Sequence, residues 1–226
     1  MRIVLATRNN DKIKEIEAIM ASVDVELVRP ESISGLPEIV EDGLTLEENA
    51  LKKARGIRAV AGLCALADDT GLEVDALGGA PGVYSSRYAG DHVSYDDNNR
   101  KLLREMAAVP EGRRTARFRC VMALALVDSV SNALYAHLEE RASAGAVREA
   151  DGRPDALVTE GILDGRIVFE PRGRHGFGFD PVFEVPRLGM TLAQLGLEAK
   201  NQISHRYRAL VEMRELLIRW RLVSER

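Results

Sequence analysis

Two neighbouring carboxylates, Asp68 and Asp69, follow directly on the apolar run 63–67. A pair of charges at the end of a buried strand is costly unless a metal ion or hydrogen bonds offset it. Oxygen donors alone suit Mg²⁺, which commonly takes one or two carboxylates and leaves its other positions to phosphate oxygens. Glu41, in the acidic stretch 38–43, can supply a further carboxylate. The competing reading is a solvated turn beside a charged loop, and the local sequence does not choose between them.

Three other groups have the residue types for holding an anion or a planar ring. Thr7, Arg8, Asn9, Asn10, Asp11 and Lys12 lie where a first strand gives way to a helix. A hydroxyl, an amide, a helix N-terminus and an ammonium can together bind phosphate oxygens, although an ordinary turn with an N-cap uses the same residues. Gly176, Phe177, Gly178, Phe179, Asp180 and Pro181 form an unusual turn. Its glycines let backbone approach a ligand, and its aromatics offer stacking faces or serve as core plugs. Lys200 and the run Ser204, His205 and Arg206 precede or open the final helix. They are donors for a ligand, or a helix cap followed by solvated charges.

The elements that must position these groups follow from periodicity. Residues 3–6 read as a buried strand, and Ile13, Ile16, Ile19 and Met20 share one face of the helix after it. Residues 25–28 read as a second strand. Thr45 with Glu48 reads as a capping box, opening a helix with Leu46, Ala50, Ala54 and Ile57 on one side. The strand 63–67 ends at the paired aspartates, and Leu72, Val74 and Ala76 then alternate as a half-exposed strand. Ser94 caps a helix carrying Leu102, Leu103 and Met106; 115–127 is a long strand, 134–138 reads as a strand, and so does 166–169. A short helix is expected at 191–195, and a last helix from Ser204 with Leu210, Met213, Leu217 and Trp220 on one stripe. The segment 139–155 is polar, rich in glycine and alanine, and reads as an insertion whose trimming should leave activity largely unchanged. Early strand–helix alternation followed by long strands predicts a mixed α/β protein.

The bulk composition bounds the function. The 226 residues are 46% hydrophobic, 29% charged and only 5% aromatic, so aliphatic side chains must fill a real core. The formal net charge is −4. Proteins that grip long nucleic acid usually carry a basic surplus, so no polymeric nucleic acid is expected as a partner. Cys64 and Cys120 sit in apolar runs and read as buried, inert thiols. The chain begins at once as a strand and has no apolar run near a membrane span, so no leader, no membrane partner and a cytoplasmic location are expected. The phosphate loop of P-loop enzymes, the glycine-rich dinucleotide turn, the H-E-x-x-H zinc site and the G-x-S-x-G elbow are all missing.

Taken together, the motifs resemble the inosine/xanthosine triphosphate pyrophosphatase family, the dITP/XTP pyrophosphatases. The matching segments are 5–12, then 41–45 with 48–50, Lys53 and Ala54, then 67–72, 78–85 and 176–183, and last Lys200 with Ser204, His205 and Arg206. They keep the family's order over nearly the whole chain. Thr70 stands where many relatives have Ser, with the hydroxyl kept, and 128–158 is longer than usual. The resemblance implies a single domain over 1–226, an elongated mixed α/β fold of two lobes around a mixed central sheet, a nucleotide cleft between them, and a homodimer. It implies Mg²⁺-dependent hydrolysis of ITP, dITP and XTP to the monophosphate and pyrophosphate, cleansing the nucleotide pool. Glu41 and Asp69 would hold the metal. Asp69 would also act as general base, with Asp68 able to share that work. Thr7 through Lys12, Lys53 and Thr70 would position the triphosphate; Phe177, Gly178, Phe179, Asp180, Lys200, His205 and Arg206 would hold the base. The rivals are a pyrophosphatase for pyrimidine triphosphates and a nucleotide-binding module without turnover.

Overall fold

The structure, a computed structural model, describes residues 1–138, 146–148 and 154–225. Of the expected insertion at 139–155, residues 139–145 and 149–153 lie outside the described residues, and the rest falls in strands. The elements in chain order are β1 (Arg2–Leu5), α1 (Asn10–Met20), β2 (Glu26–Val28), α2 (Leu46–Ala61), β3 (Cys64–Val74), β4 (Pro81–Gly82), α3 (Tyr95–Glu105), β5 (Thr115–Ala125), α4 (Asp128–Leu138), β6 (Ala146–Arg148), β7 (Pro154–Ile167), β8 (Phe183–Val185), β9 (Met190–Thr191), α5 (Leu197–Asn201) and α6 (His205–Arg219). The fold is mixed α/β, as the pattern predicts. The strands follow the order β2-β1-β3-β5-β7-β8-β9, with β4 added to β3 and β6 to β7. The pairs β1–β2 and β1–β3 are parallel; β3–β4, β6–β7, β7–β8 and β8–β9 are antiparallel.

The chain divides into two compact units. The first comprises residues 1–69, 121–160 and 208–226. Ile3, Val4 and Leu5 of β1 are fully buried, as are Ala65 and Leu66 of β3 to within a percent. Burial on both faces is what a parallel strand covered by helices requires. Asn9 caps α1, its Oδ1 accepting from Asp11 N at 2.9 Å and Lys12 N at 3.4 Å, and the stripe Ile13, Ile16, Ile19 and Met20 is buried as its spacing predicts. Thr45 caps α2 by accepting from Glu48 N at 3.1 Å. The expected reciprocal half of that box is altered: Glu48 Oε2 accepts from Leu44 N at 2.7 Å. The stripe Leu210, Met213, Leu217 and Trp220 is buried along and just past α6.

The second unit comprises residues 70–120 and 161–207. Its core joins Leu72 and Val74 to Leu102 and Met106 of α3, Phe118 of β5, Leu163 and Ile167 of β7, and Phe179, Val182 and Phe183. Ser94 and Asp97 form a complete capping box on α3. Arg114 is 2% exposed and donates to four backbone carbonyls, those of Ile167 (2.7 Å), Met106 (2.7 Å), Val109 (3.0 Å) and Val168 (3.0 Å). Buried backbone carbonyls need donors, and one guanidinium supplies four of them.

Several expected elements change. Residues 64–74 form one strand, so Asp68 and Asp69 lie in the interior of β3 and not at its end, and Ala76 lies in the 3-10 turn that follows. The strand expected at 134–138 is the last part of helix α4. The helix expected at 191–195 is a single 3-10 turn, Leu192–Gln194, and the separate helix α5 follows it. Neither cysteine forms a disulfide; both are buried, and burial pushes the Cys64 thiol above its ordinary pKa.

Candidate active site

Within the first unit, acidic and basic side chains from α1, α2, β3 and the acidic loop converge. Successive residues of a strand point to opposite faces, so Asp68 and Asp69 find different partners. Asp68 pairs with Lys12 of α1 at 2.9 Å. Asp69 Oδ1 accepts from Lys53 of α2 at 3.1 Å, and the same ammonium lies 3.1 Å from Glu41 Oε1. Asp69 Oδ2 accepts from Asn49 Nδ2 at 3.1 Å. Asn49 is fully buried, and its Oδ1 accepts from Gly43 N at 2.8 Å, so one amide ties the acidic loop to Asp69. Gly43 has room for this only as glycine: a Cβ there would stand 2.7 Å from Asn49 Oδ1.

Burial sets the protonation behaviour of this cluster. It pushes the Asp69 carboxyl above its ordinary pKa; Lys53 opposes that rise, Glu41 adds to it, and hydrogen bonds from Lys53 and Asn49 oppose it. For Lys53, burial pushes the ammonium downward, but Asp69, Asp68 and Glu41 outweigh it and leave the pKa raised. Desolvation wins at the carboxylate and charge wins at the amine. The result is a protonated lysine beside a carboxylate more basic than usual.

A cavity of about 230 Å³ opens beside this cluster, lined among others by Thr7, Arg8, Lys12, Glu41, Lys53 and Asp68. Its charged wall balances: Arg8, Lys12 and Lys53 against Glu38, Glu41 and Asp68. A triphosphate entering such a wall gains little net attraction from it, whereas a divalent cation adds the missing positive charge. Among the described residues, no three His, Cys, Asp or Glu side chains are arranged to hold a metal alone. Mg²⁺ would need only one or two carboxylates from the protein, with phosphate oxygens completing its shell. Glu41 and Asp69, which share the Lys53 ammonium, are the residues that can hold it.

The other residues of the first strand-to-helix turn divide. Thr7, Arg8 and Lys12 line the cavity. Asn9 is occupied as the α1 cap and Thr7 Oγ1 accepts from its backbone N at 3.2 Å, while Asn10 and Asp11 are exposed. For Asn9 the ordinary cap is what the structure shows.

A second group of expected residues lies in the second unit. Asp180, 2% exposed, accepts at Oδ2 from Phe177 N (2.9 Å) and from Lys200 Nζ (2.8 Å). Lys200 Nζ stands 4.6 Å and the Arg206 guanidinium 5.5 Å from the centre of the Phe177 ring. Arg206 also donates to Thr70 Oγ1 at 3.3 Å. His205 stacks on Phe118 with ring centres 4.6 Å apart. Phe177 is partly exposed, but Phe179 belongs to the core at 3% exposure, so of the two aromatics only Phe177 offers a face for stacking. Gly176 must be glycine: φ is +74° and a Cβ would meet Asp180 Oδ2 at 2.0 Å.

A sequence model of the Ham1 family matches residues 3–216. The chain belongs to the Ham1 family. It is similar to the dITP/XTP pyrophosphatase of Geobacter sulfurreducens, 46% identical over 216 residues and 96% of each chain. A second relative of that name, from Thioalkalivibrio sulfidiphilus, is 44% identical over 93% of this chain and 95% of its own. Among solved structures, a HAM1 protein from Coxiella burnetii matches with a TM-score of 0.79 at 36% identity, covering 97% of this chain and 99% of that one. The Ham1 protein of Staphylococcus aureus matches at 0.78 and 33%, covering 96% and 98%.

Sequence reasoning gave no role to Asn49 or Asn99 in this Ham1 chain. A signal for Asn49 was present. It falls four residues before Lys53, on the same side of α2 as the apolar stripe, where a polar residue must find a buried partner. Asn99, 4% exposed, donates from Nδ2 to Gly178 O at 3.0 Å. Nothing local foretells that contact, because 79 residues separate the partners.

Proposed function

We propose that this chain hydrolyses non-canonical purine nucleoside triphosphates, ITP, dITP and XTP, to the monophosphate and pyrophosphate with Mg²⁺, and so clears deaminated purines from the nucleotide pool. The observation that carries this reading is the cluster of Glu41, Asp69, Lys53 and Asn49 beside a cavity walled by Lys12, Arg8 and Thr7. The printed names of the relatives support the choice of substrate.

Mg²⁺ held by Glu41 and Asp69 would neutralise charge on the phosphate oxygens. Lys12, Lys53 and Arg8 hold the triphosphate, and Thr7 offers it a hydroxyl. Asp69 takes a proton from the attacking water. The water oxygen joins phosphorus at the anhydride between the α- and β-phosphates, that anhydride bond breaks, and pyrophosphate leaves with the bridging electron pair. Phe177 stacks on the base, and Lys200, His205 and Arg206 donate to its oxo groups; Asp180 holds Lys200 and the Phe177 backbone in place. Assembly as a homodimer in the cytoplasm belongs to the same reading and rests on the resemblance.

The test is incubation with ITP, XTP, dITP, GTP, ATP and dTTP plus Mg²⁺, with products identified by ion-exchange chromatography. Monophosphate and pyrophosphate in equal amounts, with ITP and XTP far ahead of ATP and GTP, is the expected outcome. EDTA should abolish it. Orthophosphate as the direct product, or dTTP as the best substrate, would overturn the reading.

A further inference from the structure

We propose that α3 belongs to the base-recognition apparatus: Tyr95 and Asn99, one turn apart on that helix, are positioning residues that fix the Phe177–Gly178 segment and thereby set affinity for the base. The inference rests on the reading of Phe177 as the stacking surface and adds the parts that hold that surface still.

Gly176 and Gly178 flank Phe177, both at positive φ (+74° and +64°), and neither carries a side chain to pack. Within the turn Asp180 closes on Phe177, its side chain accepting from Phe177 N and its backbone N donating to Phe177 O at 3.3 Å. Two further ties come from outside the turn, from α3. Asn99 Nδ2 donates to Gly178 O at 3.0 Å, and the Tyr95 ring lies 6.1 Å from the Phe177 ring, tilted by 40°. Residues four apart share a helix face, so one face of α3 meets both members of the segment.

The helix itself is anchored elsewhere, which makes it the fixed partner. Its N-terminus carries a complete capping box. Asn98 accepts from Ala89 N at 2.7 Å and donates to Ser86 O at 3.1 Å. Lys101 donates to Tyr88 O at 2.6 Å, and Leu102 is fully buried in the core. Asn99 is the exception within this well-satisfied helix. Among the described residues its buried Oδ1 has no hydrogen-bond partner. A buried acceptor left unpaired carries a cost that an apolar side chain of similar size would avoid. The amide is accounted for by the single bond it makes to the loop.

The Phe177 ring is thus held among Tyr95, the Lys200 ammonium and the Arg206 guanidinium. Releasing the α3 ties frees the ring to move, and a base that stacks on it must then re-order it on binding.

The test uses the full chain with Mg²⁺ and two probes, inosine monophosphate, which carries the base, and inorganic pyrophosphate, which does not. Calorimetric titration gives the affinity of each for the wild type and for Asn99→Leu, Tyr95→Ala and Tyr95→Phe. Asn99→Leu and Tyr95→Ala should each weaken inosine monophosphate about tenfold, the scale of one lost hydrogen bond or ring contact, and leave pyrophosphate unchanged. In turnover the same variants should raise KM for ITP more than they lower kcat. Tyr95→Phe keeps the ring and should restore wild-type binding. Tyr95 is half exposed, so its variants are expected to stay folded whatever becomes of Asn99→Leu, which circular dichroism checks. Unchanged inosine monophosphate affinity in folded Tyr95→Ala, or equal weakening of both probes, would overturn the inference. A wild-type protein that binds pyrophosphate but no inosine monophosphate would instead overturn the base-site reading beneath it.

Discussion

At the scale of the residue, Asp69 is the side chain on which the proposed mechanism places two duties, metal binding and proton transfer. Its Oδ2 is fixed by Asn49 and its Oδ1 by Lys53, so the carboxylate has a single orientation. Asp69→Asn keeps that shape and removes the charge that the proposed mechanism uses to bind metal and accept a proton. The expected loss in turnover of ITP is at least about a hundredfold, the scale of a missing general base, with the circular dichroism spectrum unchanged. Near-normal turnover in a folded variant would take Asp69 out of the mechanism. The residue types of this cluster were legible in the sequence: two aspartates after an apolar run, and a glutamate in an acidic loop. Their neutralisation was not. Lys12 and Lys53 reach Asp68 and Asp69 from two helices, and without knowing those partners the natural inference is that the strand stops before its charges. That is why β3 reads as two short strands and is in fact one.

At the scale of the element, the most legible features are those written in local periodicity: the buried stripes of α1 and α2, the cap at Thr45 and the long run of β5. The misread ones are short. Residues 134–138 alternate briefly, but they continue a helix begun at Asp128, and five residues cannot decide between the two periods. The same reasoning on elements yields two tests. Gly43→Ala places a methyl 2.7 Å from Asn49 Oδ1 and 2.9 Å from Glu48 Cβ, so the acidic loop must shift off α2. Because Glu41 rides on that loop, the Mg²⁺ concentration for half-maximal turnover should rise about tenfold or more, the scale of a lost outer-shell contact, while a metal titration curve matching the wild type would show the loop to be independent of that contact. Arg114→Met tests the second unit. It removes a donor from four backbone carbonyls, of which Met106 O keeps Val109 N, and two of the others lie at the end of β7 and just beyond it. Leaving several buried acceptors unpaired should cost about 3 kcal/mol or more, read as a lowered urea midpoint. A stability within experimental error of the wild type would mean that water replaces the guanidinium.

At the scale of the whole molecule, charge separates a small anionic substrate from a long one. The chain carries 31 Lys and Arg against 35 Asp and Glu. Two of its basic side chains at the candidate site are paired with carboxylates: Lys12 with Asp68, and Lys53 with both Glu41 and Asp69. Elsewhere Arg55 is matched by Asp155, Arg117 by Asp75, and both Arg166 and Arg172 by Glu184. A polynucleotide binds chiefly by neutralising successive phosphates along a basic stripe, with counterion release as the driving term. Paired charges release no such counterions, and a molecule with net charge −4 repels the polymer at a distance. On the proposed reading a single nucleotide escapes both objections, because its few phosphates would enter together with the divalent cation that balances them. Single-stranded DNA or RNA, matched to ITP in total phosphate and assayed with saturating Mg²⁺, should therefore leave the rate of ITP hydrolysis within about twofold of its uninhibited value, the level expected where binding is only non-specific and weak. The same mixture at low ionic strength is the stricter trial, since screening is weakest there. Strong inhibition that fades as salt is added would reveal a basic track on the surface and would make the polymer, and not the free triphosphate alone, a partner of this protein.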